Sequence, residues 1–501
     1  MNTPSTIGLD LARRTSHKAV IINSETDSEP QTLRVSSCAE SLDAMLEAAG
    51  ATDCTVVLEP TGMAWLPVSA WLQHRGCRVI RVDTRSAHEF RKFVRRNVKS
   101  DRVDAEALAR MPAANPRRVR FLQLAPAELF ALDRLARTRA RLVSDRTRVV
   151  LQLHAIVETY VPELAGALGT GESLSAVKRF LLHRFLHPKQ TLEAGTEGIA
   201  QALRDDGLCP SNVRLLARWV EAARNAWSIW GPMLEAGTCP IDFEIAQIEV
   251  DLALDRIAEL DDHIARIERR IDSGYRAADP DRLLESIPGI GSVIAPYLLA
   301  TVGDVRRFPN GDHFASFCGL VPRKNQTGST DRQGQAITKA GNRLLRKYLY
   351  LAADTARRCD LELAAFYAHK CAEGKHHTEA VIAVANKLAR RVYAVLKRAA
   401  HGDPTPYRFV DDHGGGISAK ASRQLVSARH LSKSKQRAAQ AKGRGAKARK
   451  KRQPDDSATR SVNGSPTTTK RNSSDGPNAT DRPSHRSRGF HVRGLDRVDS
   501  T

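Results

Sequence analysis

Four acidic side chains in the N-terminal part of the chain could together perform metal chemistry. Asp10 and Glu59 each end a short apolar segment, and Asp101 and Asp104 stand three residues apart at the start of a predicted helix. A spacing of three places both carboxylates on one face of that helix. Carboxylate oxygens are ligands that suit Mg²⁺ or Mn²⁺. Two such ions about 4 Å apart are a standard device for phosphodiester chemistry.

The acidic pair on the helix has an ordinary explanation as well. Ser100 or Asp101 could cap the helix, and acidic groups near a helix N-terminus are favoured by its dipole. Such a pair taken alone is usually capping and solvated charge. The metal-site hypothesis therefore depends on Asp10 and Glu59 lying near the same helix, where four carboxylates would require cations to neutralise them.

The segments that must position these residues predict a mixed sheet covered by helices. Three strands joined by short turns are followed by alternating strands and helices, which is typical of a ribonuclease-H-like (RuvC-like) fold. Sites in open α/β sheets form at the carboxyl ends of strands, where Asp10 and Glu59 stand. The predicted segments are strands at 5–10, 17–23 and 31–36, a helix at 39–50, a strand at 54–59, a helix at 63–75 and a strand near 77–82.

A basic segment directly precedes the acidic pair. Residues 91–99 contain five Lys and Arg residues. They form either the solvated face of a helix or a strip that follows nucleic-acid phosphates beside the metal site.

Long helices are predicted in the middle of the chain. Leucine and valine recur at helical spacings over 125–160, and isoleucine and leucine recur regularly over 244–273. The second pattern is typical of a coiled coil or an antiparallel helical arm, which spaces two functional segments or dimerises. Residues 167–240 are helical but irregular, and no chemistry is assigned to them.

The second half of the chain contains a helix–hairpin–helix signature. Apolar helical runs flank the segment Pro288–Gly291, and its glycines Gly289 and Gly291 permit a tight turn. The amides at the start of the following helix could bind a DNA phosphate. An ordinary turn between two helices is the alternative.

A polar loop at 324–335 is the second candidate for chemistry. It follows a helix that ends at Gly319, and helix is predicted to resume from Ile337. A loop hydroxyl could attack a phosphodiester while guanidinium groups stabilise the developing charge. A surface loop with solvated charge is the alternative. The flanking basic residues are Arg323, Lys324, Arg332, Lys339, Arg343 and Arg346.

Composition favours a polyanionic partner in a reducing compartment. The chain has 501 residues, a formal net charge of +22 and a pI of about 10.0, values typical of nucleic-acid-binding proteins. The excess charge is concentrated in 418–501, and the segment from 403 onward is predicted to be disordered. The eight scattered cysteines form no C-x-x-C pair, so neither a zinc site nor a disulfide framework is indicated. With no signal peptide and no membrane-spanning run, a soluble cytoplasmic protein is expected.

These observations predict four regions. A helix at about 379–398 closes the third of them. The regions are a carboxylate domain (1–115), a helical linker with a coiled-coil arm (116–278), a mainly helical domain with the hairpin and the polar loop (279–402) and a basic tail (403–501).

Taken together, these motifs resemble the insertion-sequence 110 family of transposases, described as RNA-guided DNA recombinases. The resemblance covers about residues 5–400. The matching segments are Ile7–Asp10, Leu58–Gly62, Lys99–Ala105, Ser286–Gly291, Phe317–Arg323 and Lys339–Asn342. The resemblance implies an N-terminal RuvC-like domain whose D-E-D-D set is Asp10, Glu59, Asp101 and Asp104.

The resemblance also implies a mechanism and partners. The four carboxylates would bind Mg²⁺, and a serine of the second domain would form a covalent link to double-stranded DNA. A structured guide RNA would select the sequence, and dimers would pair into tetramers, with active sites built from two chains. A bacterial, nucleoid-associated location is implied too, with no membrane partner.

This chain departs from the family pattern at the nucleophile. The family's serine precedes a glycine, and Thr327 occupies that position in Gln326–Ser329. Thr327, Ser329 in a shifted register, or an inactive copy are all open, with Thr327 slightly favoured by its position. The presence of all four carboxylates argues against simple decay.

Three functions remain in competition. The first is a transposase that cuts and rejoins DNA, and the second is a RuvC-like Holliday-junction resolvase or nuclease that hydrolyses DNA with metal alone. The third is a non-catalytic DNA- or RNA-binding protein. The helical arm and the second domain disfavour a resolvase, and replacing Asp101 and Asp104 would distinguish a transposase from a binding protein.

Overall fold

A mixed five-stranded sheet carries the N-terminal carboxylates. In this computed structural model, β1 pairs antiparallel with β2 and parallel with β4, and β5 extends the parallel side. The order β3-β2-β1-β4-β5 confirms the predicted mixed sheet and is consistent with a RuvC-like fold. The strands are β1 (Ser5–Asp10), β2 (His17–Asn23), β3 (Gln31–Val35), β4 (Cys54–Glu59) and β5 (Arg78–Arg81).

The structure describes most of the chain before residue 408. The tail predicted from 403 onward therefore lies almost entirely outside the described residues. Described are residues 5–23, 29–50, 54–60, 62–94, 100–116, 120–169, 174–210, 212–323, 326–327, 330–331, 335–338 and 341–407.

Helices cover both faces of the sheet, because successive side chains along each strand point to opposite faces and are buried in two separate cores. Helices α1 (Ala39–Ala48) and α2 (Trp65–His74) pack with Ile7 and Leu58 on one face. Helices α3 (Thr84–Val94) and α4 (Asp101–Ala114) pack on the other face, against residues such as Val57. The helices and strands predicted for this domain are confirmed to within about two residues, which is the ordinary uncertainty of element ends.

Two long helices, α5 and α10, form the spine of the middle region. The helices in order are α5 (Ala127–Tyr160), α6 (Leu164–Leu168), α7 (Ala176–Arg184), α8 (Pro188–Asp205), α9 (Val213–Glu235) and α10 (Phe243–Ala278). Arg139 pairs with Glu268, whereas Tyr160, one end of α5, bonds to Glu249. Because residue numbers increase along α5 while the numbers of their partners in α10 decrease, the two helices are antiparallel.

The irregular segment 167–240 has a structural role that its sequence pattern did not indicate. Helices α6 to α9 share an apolar core with the end of α5 and the start of α10. Trp219 is fully buried there and donates its indole N–H to the carbonyl oxygen of Phe185 at 2.9 Å.

The apolar row predicted along α10 is divided between the core and the surface. Ile257, Leu260, Ile264 and Ile271 are buried, as a helical arm requires. In the first turns the buried residues are instead Phe243, Ala246 and Val250. Of the remaining members of the row, Ile267 is half-buried, and Ile245, Ile248 and Leu252 are 50%, 56% and 65% exposed. A single-sequence pattern cannot distinguish these two rows because both are apolar at helical spacing.

The C-terminal domain is helical and packs on the base of the spine. Its core includes Leu132 of α5 and Tyr275 of α10. The elements are α11 (Ile294–Val302), α12 (Gly311–Phe317), α13 (Arg343–Cys359), α14 (Leu361–Ala372) and α15 (His377–Ala399), with 3₁₀ turns at Leu283–Ser286 and Val305–Arg307 and a short hairpin of β6 (Gln326–Thr327) and β7 (Thr330–Asp331).

Two predictions for this domain were wrong in detail. The first helix of the predicted helix–hairpin–helix is only the 3₁₀ turn Leu283–Ser286. The helix predicted to resume at Ile337 begins at Arg343, because Gly341 has a positive φ of 82° and Asn342 is the N-cap. None of the described helices combines the length and the apolarity needed to cross a membrane.

Candidate active site

Asp10 and Glu59 are neighbours at the carboxyl edge of the parallel strands. They are register partners in β1 and β4, and neighbouring strands lie about 4.8 Å apart. Side chains alternate along a strand, so Asp10 shares a face with Gly8, and Glu59 shares a face with Val57. Gly8 contacts α4, and Val57 packs in the core beneath it. Both carboxylates therefore face the helix that carries Asp101 and Asp104.

Gly8 sets the distance between β1 and α4. A Cβ atom at this position would lie 1.9 Å from the carbonyl oxygen of Ala105 and 2.5 Å from the backbone nitrogen of Ala109. Real Cβ atoms essentially never approach backbone so closely, so only glycine permits this packing. The helix of the acidic pair is thereby pressed directly onto the strand that ends in Asp10.

The start of α4 resolves the alternatives for capping. Ser100 has an extended backbone, and its Oγ accepts a hydrogen bond from the Val103 N–H at 3.3 Å. The cap is therefore Ser100 rather than Asp101. Asp101 is exposed and Asp104 is half-buried, both in the first turn of the helix.

Asp104 keeps one unsatisfied oxygen despite a cationic neighbour. The Nε of Arg91 lies 2.9 Å from Oδ1 of Asp104, with only 12% of the arginine side chain exposed. The contact is an ion pair without hydrogen-bond geometry, since the same buried Oδ1 has no hydrogen-bond partner. A buried oxygen of this kind favours a further electrostatic partner at this position, and a metal cation is one that suits a carboxylate. Arg91, the first residue of the basic segment 91–99, thus lies beside a carboxylate, and residues 95–99 lie outside the described part.

The four carboxylates are of the chemical type that binds a hard cation, although they are not close enough together to form a coordination site. Within the described ranges, no three Asp, Glu, His or Cys side chains lie close enough to bind one metal ion. The oxygen donors of Asp10, Glu59, Asp101 and Asp104, and the unsatisfied Oδ1, fit Mg²⁺ or Mn²⁺ in kind.

A histidine that sequence reasoning did not single out holds the turn after Asp10. His17 is buried; its Nδ1 accepts the Ala12 N–H at 3.1 Å, and its Nε2 lies 2.7 Å from Oγ of Ser37. Burial lowers the pKa of His17, which favours the neutral ring. Nε2 then carries the hydrogen and donates it to Ser37, so this side chain fixes the turn.

The polar loop is closed at its base. Pro322 and Ile337 form an antiparallel bridge, and the Arg323 N–H donates to the carbonyl oxygen of Ala336 at 2.9 Å. Gly341 packs directly on α12, since a Cβ there would lie 2.5 Å from the carbonyl oxygen of Phe317. Both ends of the loop are therefore anchored to the domain core.

One of the two candidate nucleophiles, Thr327, lies in the small hairpin within this loop. Gln326 pairs with Asp331, and Thr327 pairs with Thr330. The backbone of Thr327 is thus the last paired position of β6. Ser329 lies outside the described residues, as do Lys324, Arg332 and Lys339 of the predicted basic set.

Three members of that predicted set are described, Arg323, Arg343 and Arg346; the first two are exposed and Arg346 is half-buried. Asn342 positions Arg343 at the first turn of α13. The Oδ1 of Asn342 accepts hydrogen bonds from Leu344 N–H at 3.0 Å and Leu345 N–H at 3.2 Å, and its Nδ2 donates to the hydroxyl of Tyr297 at 2.7 Å. One arginine therefore stands at each end of the loop.

The two glycines of the predicted hairpin differ in their surroundings. Gly289 has a φ of 85°, and a Cβ there would lie 2.2 Å from the carbonyl oxygen of Ala352 in α13. This packing explains Gly289 without a ligand. Gly291 is exposed with open space around it, and its carbonyl oxygen accepts N–H bonds at the start of α11. Gly291 is therefore the more accessible candidate for a phosphate contact.

The two halves of the candidate site belong to different cores. The carboxylates stand on the sheet and its helices, whereas the loop stands on the C-terminal helical core. The 127–278 helices separate them in sequence.

Comparisons with known proteins match both halves. Residues 7–162 match a family described as "Transposase" with a DEDD set, and residues 281–368 match the "Transposase IS116/IS110/IS902 family". An uncharacterized 43.6 kDa protein of insertion element IS110 from Streptomyces coelicolor is 24% identical over 78% of this chain and 93% of its own length. An IS116 protein of Streptomyces clavuligerus is 24% identical over 80% and 96%. The IS1111A transposase of Coxiella burnetii is 24% identical over 62% and 70%.

Proposed function

Because this chain belongs to the IS110 family of insertion-sequence transposases, we propose that it cuts and rejoins DNA with a metal site and a hydroxyl nucleophile. The observation that best supports the proposed metal site is the register pairing of Asp10 with Glu59, both of which face the helix of Asp101 and Asp104. The hydroxyl is that of Thr327 or Ser329 in the loop 324–335.

In this proposal the four carboxylates are the metal ligands. Asp10 and Glu59 provide oxygens from the sheet edge, and Asp104 provides its unsatisfied Oδ1. Bound Mg²⁺ or Mn²⁺ would supply Lewis-acid stabilisation of charge on the phosphate oxygens. Arg91 orients the Asp104 carboxylate through the 2.9 Å ion pair.

The loop supplies the nucleophile and cationic groups. Thr327 or Ser329 attacks the phosphodiester, the leaving 3′- or 5′-oxygen takes up a proton, and a covalent phosphate ester links protein and DNA. Arg323 and Arg343, exposed at the two ends of the loop, stabilise the negative charge of the reacting phosphate.

A covalent adduct is the test of this mechanism. The purified full-length protein, incubated with Mg²⁺, DNA carrying the element's ends and RNA transcribed from the element, is expected to yield a denaturation-resistant protein–DNA adduct. If Thr327 is the nucleophile, Thr327→Ala abolishes the adduct and Ser329→Ala leaves it. The reverse pattern identifies Ser329. Gel electrophoresis under denaturing conditions measures the outcome.

The same assay distinguishes the competing functions. DNA cleavage without any adduct would favour a hydrolytic nuclease, and DNA binding without cleavage would favour a non-catalytic protein. Thr330→Ala, beside Thr327 in the hairpin, is the matched control and should retain the adduct. An adduct that forms equally well without the RNA would contradict the guide-RNA part of the proposal.

We further propose that two chains associate through the spine. The exposed apolar row of Ile245, Ile248 and Leu252 borders a groove of about 510 Å³ that Leu252, Val149 and Ile156 line. Exposed contiguous apolar surface of this kind marks interaction sites.

Light scattering after size-exclusion chromatography tests this association. Leu252→Lys combined with Ile248→Lys is expected to lower the solution mass to that of a single chain, because lysine ammonium groups would be desolvated in the interface. Val213→Lys is the control, since Val213 is 69% exposed on α9, away from the row. An unchanged mass in the double variant would contradict the proposed interface.

A further inference from the structure

A short strand-like segment brings two arginines together beside β5. Phe121 forms an antiparallel bridge with Ile80, and the Leu122 N–H donates to the carbonyl oxygen of Val79 at 2.6 Å. This register places Arg120 opposite Arg81. Opposite residues in an antiparallel pair project from the same face, so both guanidinium groups stand on one side.

A third arginine reaches the same place from the C-terminal domain. Burial lowers the pKa of Arg307, and the positive charges of Arg120 and Arg81 lower it further, while Asp304 opposes them. Burial also lowers the pKa of Arg81. Three like charges from three parts of the chain therefore converge.

Aromatic rings hold two of these guanidinium groups in position. Arg81 lies over the Trp65 ring at 4.6 Å, and Arg307 lies over Phe308 at 4.6 Å and Phe317 at 4.7 Å. The Nη2 of Arg307 also donates to the carbonyl oxygen of Thr301 at 3.3 Å. Stacked arginines lose little freedom when they bind an anion.

This group is compensated only in part within the portion of the chain that the structure describes, because the charge of Asp304 acts on Arg307 while Asp304 is already paired with Arg306. None of the ion pairs found there involves Arg81, Arg120 or Arg307, although most neighbouring arginines have such a partner. Arg306, the residue beside Arg307, lies 3.0 Å from Asp304, and Arg85 lies 2.8 Å from Glu89. The cluster of Arg81, Arg120 and Arg307, here called the junction cluster, is thus a concentrated positive charge that Asp304 compensates only in part.

The junction cluster lies at the same edge of the sheet as the candidate metal site. Arg81 is the register partner of Leu58, which directly precedes Glu59. Arg81 shares its face with Val79, which packs in the core beneath α2, whereas Glu59 faces α4. A strand of nucleic acid that crosses this edge would therefore pass from the carboxylates to the guanidinium groups.

We propose that the junction cluster binds a backbone phosphate of DNA that flanks the site of cutting. A guanidinium fork matches two phosphate oxygens, and a phosphate would relieve the repulsion among three cations. DNA is favoured over RNA because the cluster adjoins the edge where Glu59 stands, and the proposed function places DNA there. The inference rests on that function. It also gives the two domains a shared ligand.

Salt-dependent DNA binding by the full-length protein tests the junction cluster. The probe is a fluorescein-labelled duplex DNA, and its anisotropy gives the affinity at several salt concentrations. Arg307→Gln is expected to weaken binding severalfold and to lower the slope of log affinity against log salt by about 1, as losing one phosphate contact does. Arg307→Lys, which keeps the charge, is expected to restore most of the slope.

Arg85→Gln is the matched control, because Glu89 already pairs with that arginine at 2.8 Å, and it should bind as the unaltered protein does. Equal slopes for the two Gln variants would overturn the proposal, and so would a loss confined to a labelled RNA of equal length. The assay needs no catalysis. If the unaltered protein binds and cuts DNA and Arg307→Gln binds as the control does, only the junction-cluster proposal is refuted. If the unaltered protein binds no DNA, the proposed function is refuted. A melting temperature within a few degrees of the control shows that the variants are folded.

Discussion

Asp104→Asn is expected to reduce DNA strand exchange by about 10³-fold or more. The substitution keeps the shape of the side chain and removes its negative charge, so a cation loses an anionic ligand. Metal ions contribute several kcal/mol to transition-state stabilisation in phosphoryl chemistry, and about 1.4 kcal/mol corresponds to a factor of ten in rate. Quantifying the recombinant product of a two-plasmid reaction measures the effect.

Glu89→Gln is the control for Asp104→Asn. Glu89 is an acidic residue of the same domain with 62% of its side chain exposed, and it pairs with Arg85 on α3. Its replacement should leave strand exchange unchanged. If Asp104→Asn exchanges strands at a rate near that of the unaltered protein while remaining folded, the metal-site proposal is wrong.

Gly8→Ala is expected to lower the free energy of unfolding of the N-terminal domain by about 3 kcal/mol, at the upper end of overpacking effects. The added methyl group would lie 1.9 Å from the carbonyl oxygen of Ala105, so α4 must move away from β1. Strand exchange should fall with it, because Asp101 and Asp104 move with the helix. Thermal unfolding and the two-plasmid assay measure the two effects.

Gly166→Ala separates crowding from a general effect of replacing glycine. Gly166 is in α6, and a Cβ there meets nothing within 4 Å. Alanine is favoured over glycine in helices by up to about 1 kcal/mol, so this variant should be unchanged or slightly more stable. A Gly8→Ala protein as stable as the unaltered one would show that β1 and α4 are not packed as described.

The N-terminal fold was predictable because its signals are local. Strand alternation, short turns and the helix cap at Ser100 each depend on a few adjacent residues, and the element bounds agree closely. The core of α6 to α9 was not predictable, because no regular period marks which apolar residues face α5 and α10. The start of α13 was placed too early because an αL glycine, Gly341, is followed by a capping asparagine.

The arrangement of the candidate site residues was only partly predictable. The order of Asp10, Glu59 and the acidic pair indicated a shared edge, which the β1–β4 register places as expected. The Arg91–Asp104 pair and the junction cluster depend on contacts between distant segments. The close packing of β1 and α4 did have one sequence signal, which is Gly8. A glycine inside an otherwise apolar strand often marks a place where another element approaches the backbone closely.

Because the two long helices of the spine are antiparallel, the chain leaves the C-terminal core along α5 and returns to it along α10. Helix α5 has 34 residues and is about 51 Å long, yet the C-terminal core uses only its first turns, at Leu132 and Ala136, and the last turns of α10, at Ile271 and Tyr275. The far end, capped by α6 to α9, therefore behaves as the tip of a lever whose fulcrum is the C-terminal core. Tilting such a rod by 10° at its base would carry the tip sideways by about 9 Å, so a small change where the domains meet becomes a large displacement at a distance.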